Sequence, residues 1–400
     1  MKTLIFIGTF AEGERLNKAF SYQRDTSPVL SGIAYTTKLW NELSKKYDKS
    51  ISISNFPCSA YPYSKIKYVE DSFWDTRRLS ASYFNMKFFR NISAKKNFIR
   101  SIKKNLLPYL KNDKDKNDIT IFLCDPWSPL VDAAVFLKKK LNKAKLIVDL
   151  PDLPLFTNRL NKSVAFKFFK GINAKRVMRD INKHADGFVF FSKNMCDFFD
   201  LSNRKYIIHE GIINPNSYDY SFNDKKHEIN VVYTGSLDEA SSNVTLMIQA
   251  IDELNKKSQH LSYNLYLAGG GHLDERNIKN ASAVHYLGQL SLSKTKELQM
   301  SADILISLRP NTPEFNYAFP SKMFEYIECK RPIVCVKLDC FPELISSYCY
   351  LIKKLDVNSI VHTIESINFN DFYNNKIVIT YGNIADYYSV ESLAKAIYLL

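Results

Sequence analysis

The chain reads as an α/β protein made of two doubly wound parallel domains that face each other across a cleft. Three observations predict this. Short apolar runs alternate with amphipathic stretches along most of the length, the pattern of parallel strands with helices on both faces. The alternation stops in the polar segment 214–230 and then restarts. Four hundred residues are enough chain for two such domains and their cores. The expected domains are 1–210 and 211–385, with a closing helix, 386–400, that packs back on the first.

Taken in order, 3–7 reads as the first strand, and Ser31-Gly32 opens a helix that runs to about residue 46. Strands follow at 50–54, 119–124, 146–149 and 187–191, with helical pattern over much of 77–110, 130–142 and 164–184. The segment 214–230 has few periodic apolar residues and reads as a linker. Beyond it, strand 230–233 ends in Thr234-Gly235-Ser236, helix 243–256 follows, and strand 263–268 ends in Gly269-Gly270-Gly271. A short strand 284–287 stops at Gly288, helix 294–301 comes next, and 304–307 is a strand. The chain closes on an amphipathic helix, 389–400. In doubly wound domains ligands bind at the carboxyl ends of the strands, so facing domains offer one cleft to two substrates.

Apolar residues make up 46% and charged residues 24%, ordinary for a globular protein. The net charge of +14 is uneven. Residues 1–200 hold 36 Lys and Arg against 19 Asp and Glu, whereas residues 201–400 hold 19 against 22. Such asymmetry points to a polyanionic partner for the first half. The seven cysteines form no CxxC pair and several lie in apolar runs, so they read as reduced thiols of a cytoplasmic protein. No window approaches the 18 apolar residues of a membrane span, and the apolar start at Leu4 is too short for a signal sequence.

The stretch Phe319 to Pro332 carries the most chemistry. It reads as a short helix opened by Pro320 or Ser321, followed at once by a buried strand, 333–336. Free backbone N–H groups at such a start suit a phosphate, and Lys322 adds a positive charge. Glu325 lies four residues past Ser321, one turn on along the same face, where a carboxylate can accept hydrogen bonds from ribose hydroxyls. The plainer reading is a helix whose first-turn acid only complements the dipole.

In their order, Val-Tyr-Thr-Gly-Ser (232–236), Tyr-Leu-Ala-Gly-Gly-Gly (266–271), Tyr-Leu-Gly (286–288), Ser-Ala-Asp-Ile-Leu-Ile-Ser (301–307) and Phe-Pro-Ser-Lys-Met-Phe-Glu-Tyr (319–326) resemble the nucleotide-sugar domain of GT-B-type glycosyltransferases. The likeness is to retaining family 4, of capsular and exopolysaccharide type, and is strongest over 230–340. It implies that Glu325 binds the ribose, that Gly235, Ser236, Ser321 and Lys322 approach the diphosphate, and that the region of Gly288 lies by the base. Two features depart from the family. Its second glutamate, counted back from Glu325, falls on Tyr317, with Glu314 out of register. Its arginine and lysine after the Thr-Gly-Ser turn are here Leu237 and Asn243, which leaves Lys322 and Arg309 as the nearest substitutes for the diphosphate clamp.

In the first half, ten Lys and Arg and no Asp or Glu lie between Arg77 and Lys111, with Phe84, Phe88, Ile92, Ile99, Ile102 and Leu106 at helical spacing. From Arg159 to Lys183 there are eight cations against Asp180, with Val164, Phe168, Ile172, Met178 and Ile181 as the apolar set. Two such segments suggest docking on an anionic bilayer. The alternative is that each apolar stripe faces the core. No nucleic-acid-reading signature is present. Strand 146–149 runs into a proline loop with Asp149 and Asp152, either of which could take the acceptor hydroxyl's proton or simply cap the turn. Asp125, in Cys-Asp-Pro-Trp, is a weaker candidate.

The expectation is therefore a hexosyltransferase-type enzyme (EC 2.4), peripheral on the cytoplasmic face of the membrane. It would move a sugar from a UDP-sugar to a lipid-linked saccharide of a surface polysaccharide, with configuration retained and neither cofactor nor metal. The competing readings are a catalytically inactive relative that binds membrane or partner subunits, and a sugar-nucleotide epimerase.

Overall fold

The computed structural model describes residues 2–11, 13–23, 30–87, 89–111, 118–154, 164–214, 227–271 and 282–400. The chain forms two compact units, Met1–Ile212 with Val390–Leu400, and Ile213–Ser389.

Unit 1 contains β1 (Lys2–Thr9), β2 (Lys49–Asn55), β3 (Tyr68–Val69), β4 (Phe73–Trp74), β5 (Arg78–Ser80), β6 (Tyr83–Phe84), β7 (Asp118–Cys124), β8 (Lys145–Leu150), β9 (Gly187–Phe190) and β10 (Lys205–Ile208). Eight of them form one sheet in the order β10-β9-β8-β7-β1-β2-β5-β4, and β3 pairs with β6 separately. The large sheet is parallel except where β4 meets β5. Ile5 of β1 sits beside Ile51 on one side and Ile121 on the other. Leu4 to Ile7 are all 0% exposed, as expected of a parallel strand covered on both faces. The order runs outward from β1 in both directions, so the topological switch lies between β1 and β7. The last helix, Val390–Leu399, sends Leu393, Ala394 and Ile397 into the core with Leu4, Phe6, Leu39 and Leu43.

Unit 2 contains β11 (Glu228–Thr234), β12 (Ser262–Ala268), β13 (Val284–Tyr286), β14 (Ile304–Ser307), β15 (Ile333–Val336) and β16 (Tyr350–Ile352). Its sheet is parallel throughout, in the order β13-β12-β11-β14-β15-β16. This is the double winding of a Rossmann sheet, with its switch between β11 and β14. The helix Val244–Lys257 buries Val244, Met247, Ile248, Ile251 and Leu254 at helical spacing, against Val231, Leu265 and Leu267 of the sheet.

Several expectations need correction. Arg78–Ser80 and Tyr83–Phe84 are strands, not helix, and the helical part of that stretch is Arg90–Ser101, continued by the π-helical turn Ile102–Leu106 and the helix Leu107–Lys111. The pairing of β5 with β2, and of β6 with β3, is long-range and overrides the local periodicity. The apolar stripes are also misread. Ile92 and Ile172 stand 69% and 52% exposed, whereas Ile102, Leu106, Met178 and Ile181 are buried. The side chains of Phe88, Val164 and Phe168 and most of the linker 214–230 lie outside the described residues, and β11 already begins at Glu228. Strands β3, β4, β10 and β16 have no counterpart in the sequence reading. All seven cysteines are free, and all but Cys196 are buried. No described helix is long and apolar enough to cross a membrane.

Candidate functional site

Three neighbouring strands of unit 2 each end in a glycine turn, and the turns are tied together. The Gly235 N–H donates to Ala268 O at 2.8 Å, Leu237 N–H to Gly270 O at 2.9 Å, and Gly269 N–H to Gly288 O at 2.8 Å. Gly269 has φ +147, and a Cβ there would overlap the Gly235 carbonyl, 2.7 Å from its carbon. Only glycine allows the turns after β11 and β12 to touch. Gly288 has φ +67, and no heavy atom lies within 4 Å of where its Cβ would sit.

The helix Lys322–Glu328 brings its side chains to the same strand end. The Lys322 ammonium donates to Thr234 O, next to Gly235, and lies 5.8 Å from the centre of the Tyr233 ring. Burial pushes the Lys322 pKa down, and Glu325 opposes that shift. Gln299 Nε2 donates to Thr234 Oγ1 at 2.9 Å and to Glu325 Oε2 at 3.4 Å. The Thr234 N–H donates to Tyr326 Oη at 2.9 Å. Lys322 and Glu325 are thus held against the end of β11, beside the switch between β11 and β14, where a doubly wound sheet binds its ligands.

The remaining donor-side candidates divide. Ser236 belongs to the turn, where its carbonyl accepts from Tyr233 Oη at 2.7 Å and its hydroxyl donates to Asp238 Oδ2 at 3.0 Å. Burial raises the Tyr233 pKa to about 12, with a hydrogen bond to Ser242 and the Arg309 charge pulling against that rise. Arg309 also donates to Phe315 O at 3.1 Å and lies over the Phe315 ring. Tyr317 ends the short helix Pro313–Asn316 and is partly buried. Ser321 stands at the start of its helix, but its exposed side chain makes no capping bond. Two of the N–H groups expected to be free there are taken, Met323 N–H by Pro320 O at 2.9 Å and Phe324 N–H by Ser321 O at 3.1 Å. The N–H groups of Gly235, Leu237 and Gly269 are likewise taken, so the anion-binding reading shifts from backbone N–H groups to the Lys322 ammonium.

The two residues at the clamp positions have structural jobs. Leu237 is 0% exposed in the core. Asn243 adopts φ +50 between two helices and donates from Nδ2 to Leu308 O at 2.7 Å.

In unit 1, Asp149 is the next-to-last residue of β8 and is 0% exposed. Its Oδ2 accepts from Tyr35 Oη at 2.9 Å and Cys124 Sγ at 3.2 Å. Burial raises its pKa to about 7. Asp152, just past the strand, is exposed. Asp125 sits at the switch between β1 and β7, where Thr9 Oγ1 donates to its carboxylate and Trp127 N–H donates at 3.1 Å. Its φ of +136 is strained for a residue with a Cβ, and burial raises its pKa.

Sequence reasoning missed Thr234, Gln299 and Tyr326 as site residues. The available signal was weak: Gln299 is a polar residue of the helix Leu292–Ser301, and only its 1% exposure in the structure sets it apart.

Residues 228–368 match the family model of glycosyl transferases group 1. No curated protein matches the sequence. Among solved structures, Anabaena HepE in complex with UDP is 14% identical with a TM-score of 0.58, and the match covers 100% of this chain and 99% of HepE. Sucrose-phosphate synthase from Thermosynechococcus elongatus is 11% identical with a TM-score of 0.61, covering 100% and 98%. S. aureus TarM, in a complex that includes UDP, is 15% identical with a TM-score of 0.51, and the match covers 85% of this chain but only 65% of TarM. At these identities the likeness establishes the fold, two Rossmann-like units of the GT-B type.

Proposed function

We propose that this chain is a glycosyltransferase that takes a sugar from a UDP-sugar and passes it to a lipid-linked saccharide of a surface polysaccharide. The observation that carries the reading is the set of Lys322, Gly235 and Glu325 at the switch of unit 2. A half-buried ammonium suits a diphosphate, and a carboxylate one helical turn away suits a ribose. In this reading Lys322 stabilises the charge that develops on the leaving diphosphate, the main electrostatic task of the reaction. Arg309 would assist from the end of β14. No resident metal is invoked. HepE, of like fold, holds UDP in its solved complex, which supports the choice of nucleotide. Retention of configuration follows from the family resemblance.

One observation favours a second reading, an inactive relative. Leu237 and Asn243 occupy the positions of the family's cationic clamp and are committed to the fold. Calorimetric titration with UDP separates the two. Micromolar binding, followed by donor hydrolysis when a panel of nucleotide sugars is supplied, is expected of the transferase. No binding of any nucleoside diphosphate would remove it.

A further inference from the structure

The core leaves unused a set of apolar side chains that would be expected inside it. On the helix Arg90–Ser101 the buried residues are Ala94 and Phe98, and Ile102 and Leu106 continue that row at four-residue spacing. Ile92 is two residues from Ala94, about 200° around the helix. Near it Phe84, Met86 and Phe89 are also exposed, at 56%, 39% and 61%. These four residues line one cavity of about 480 Å³ together with Lys96 and Arg100. Ile92, Lys96 and Arg100 stand four residues apart, so one helix face carries both the apolar group and the cations.

Large apolar side chains gathered on a surface mark a contact site. The surrounding charge selects the partner. Ten cations and no carboxylates lie between Arg77 and Lys111. Lys96, Arg100 and Lys104 are exposed and form no ion pair among the described residues. A second copy of the chain docking on this patch by two-fold symmetry would bring like charges together. A bilayer rich in anionic lipid offers phosphates to the cations and an acyl boundary to the rings.

We propose that the surface of β6 and the helix Arg90–Ser101 docks on an anionic lipid bilayer. Phe84, Met86, Phe89 and Ile92 enter the acyl boundary, while Lys96 and Arg100 meet the headgroup phosphates. The inference deepens the lipid-linked acceptor reading by naming the surface that holds the chain at its acceptor. Vesicle binding is measured without nucleotide, so a failure of the donor chemistry leaves it standing.

The test is flotation of the full chain with vesicles of phosphatidylglycerol and phosphatidylcholine, against phosphatidylcholine alone, at low and high salt. The chain should float with the anionic vesicles and not with the neutral ones. The double variant Phe89→Ser with Ile92→Asp should reduce anionic retention by roughly tenfold, and Lys96→Glu with Arg100→Glu should abolish its salt dependence. Both pairs are exposed, so thermal unfolding and UDP affinity should match the parent. Failure to bind anionic vesicles, or equal retention of parent and Phe89→Ser/Ile92→Asp, overturns the proposal. So does a solution dimer of the parent that this double variant dissociates, because the patch would then serve a second copy.

Discussion

The Lys322 ammonium donates to the carbonyl oxygen of Thr234, the last residue of β11. That contact holds a positive charge against the Gly235 turn, at a cost in hydration that lowers the lysine's pKa. Because the unfolded chain binds this proton more tightly than the folded chain does, the lysine costs stability at neutral pH. The penalty fades only as the pH rises from the lowered folded value toward the unfolded 10.5. Lys322→Met keeps the volume and removes the charge, and Thr234 O keeps a contact with Tyr326 Oη at 3.4 Å. The variant should unfold at the same or a higher denaturant concentration, yet lose UDP affinity by at least about tenfold, roughly 1.4 kcal/mol. Unchanged UDP affinity would take Lys322 out of the diphosphate site.

Glu325 tests the other end of the nucleotide. Its carboxylate is partly exposed, and Gln299 keeps its shorter bond to Thr234 Oγ1 when the acid is removed. Glu325→Ala should therefore fold as the parent does and weaken UDP binding by more than about tenfold. Comparing UDP with free diphosphate adds discrimination, since only the ribose-bearing ligand should notice the change.

The contact between the two glycine turns makes a stability prediction independent of ligand. Gly269→Ala forces a Cβ into the Gly235 carbonyl and confines alanine to φ +147. The backbone strain alone is about 1–3 kcal/mol, and the overlap adds to it. Urea unfolding should show a loss of at least about 2 kcal/mol. Gly382→Ala is the control, because nothing lies within 4 Å of its Cβ position and it starts the helix Gly382–Tyr387. That change should be neutral or slightly stabilising. Equal effects at the two glycines would mean that the turns do not meet as described.

How much of this was legible in the sequence depends on where each signal is local. Strands β11 to β15 are short apolar runs that stop at glycine or pass into a polar turn, so their order and the glycine turns can be read from the chain directly. The chemistry of Lys322 and Glu325 can also be read, because both lie on one short helix. What joins them to β11 cannot. Gln299 is 65 residues from Thr234 and 26 from Glu325 in the chain, yet its amide reaches both. In unit 1 the 77–89 stretch misleads because its apolar spacing suits a helix, while its real partners, β2 and β3, come from elsewhere in the chain. Asp149 misleads in a different way. A strand-end carboxylate invites a catalytic role, and only the packing of Tyr35 and Cys124 over it reveals its burial.

That burial has a consequence for pH. The Asp149 carboxyl is raised from 3.8 to about 7, chiefly because the protein interior disfavours its charged form. Over this range the folded chain holds a proton that the unfolded chain releases. The stabilisation is complete below about pH 3.8 and is lost as the pH rises through about 7, with a slope of at most about 1.4 kcal/mol per pH unit. Asp149→Asn is neutral at every pH, and its Oδ1 can still accept from Tyr35. The stability of the parent relative to Asp149→Asn should therefore decline between about pH 4 and about pH 7 in urea unfolding series and level off above that. A buried carboxyl whose charged form the interior disfavours is a poor standing base for an acceptor hydroxyl. If the two stability profiles run parallel, Asp149 is ionised throughout, and its claim to the proton-accepting role is restored.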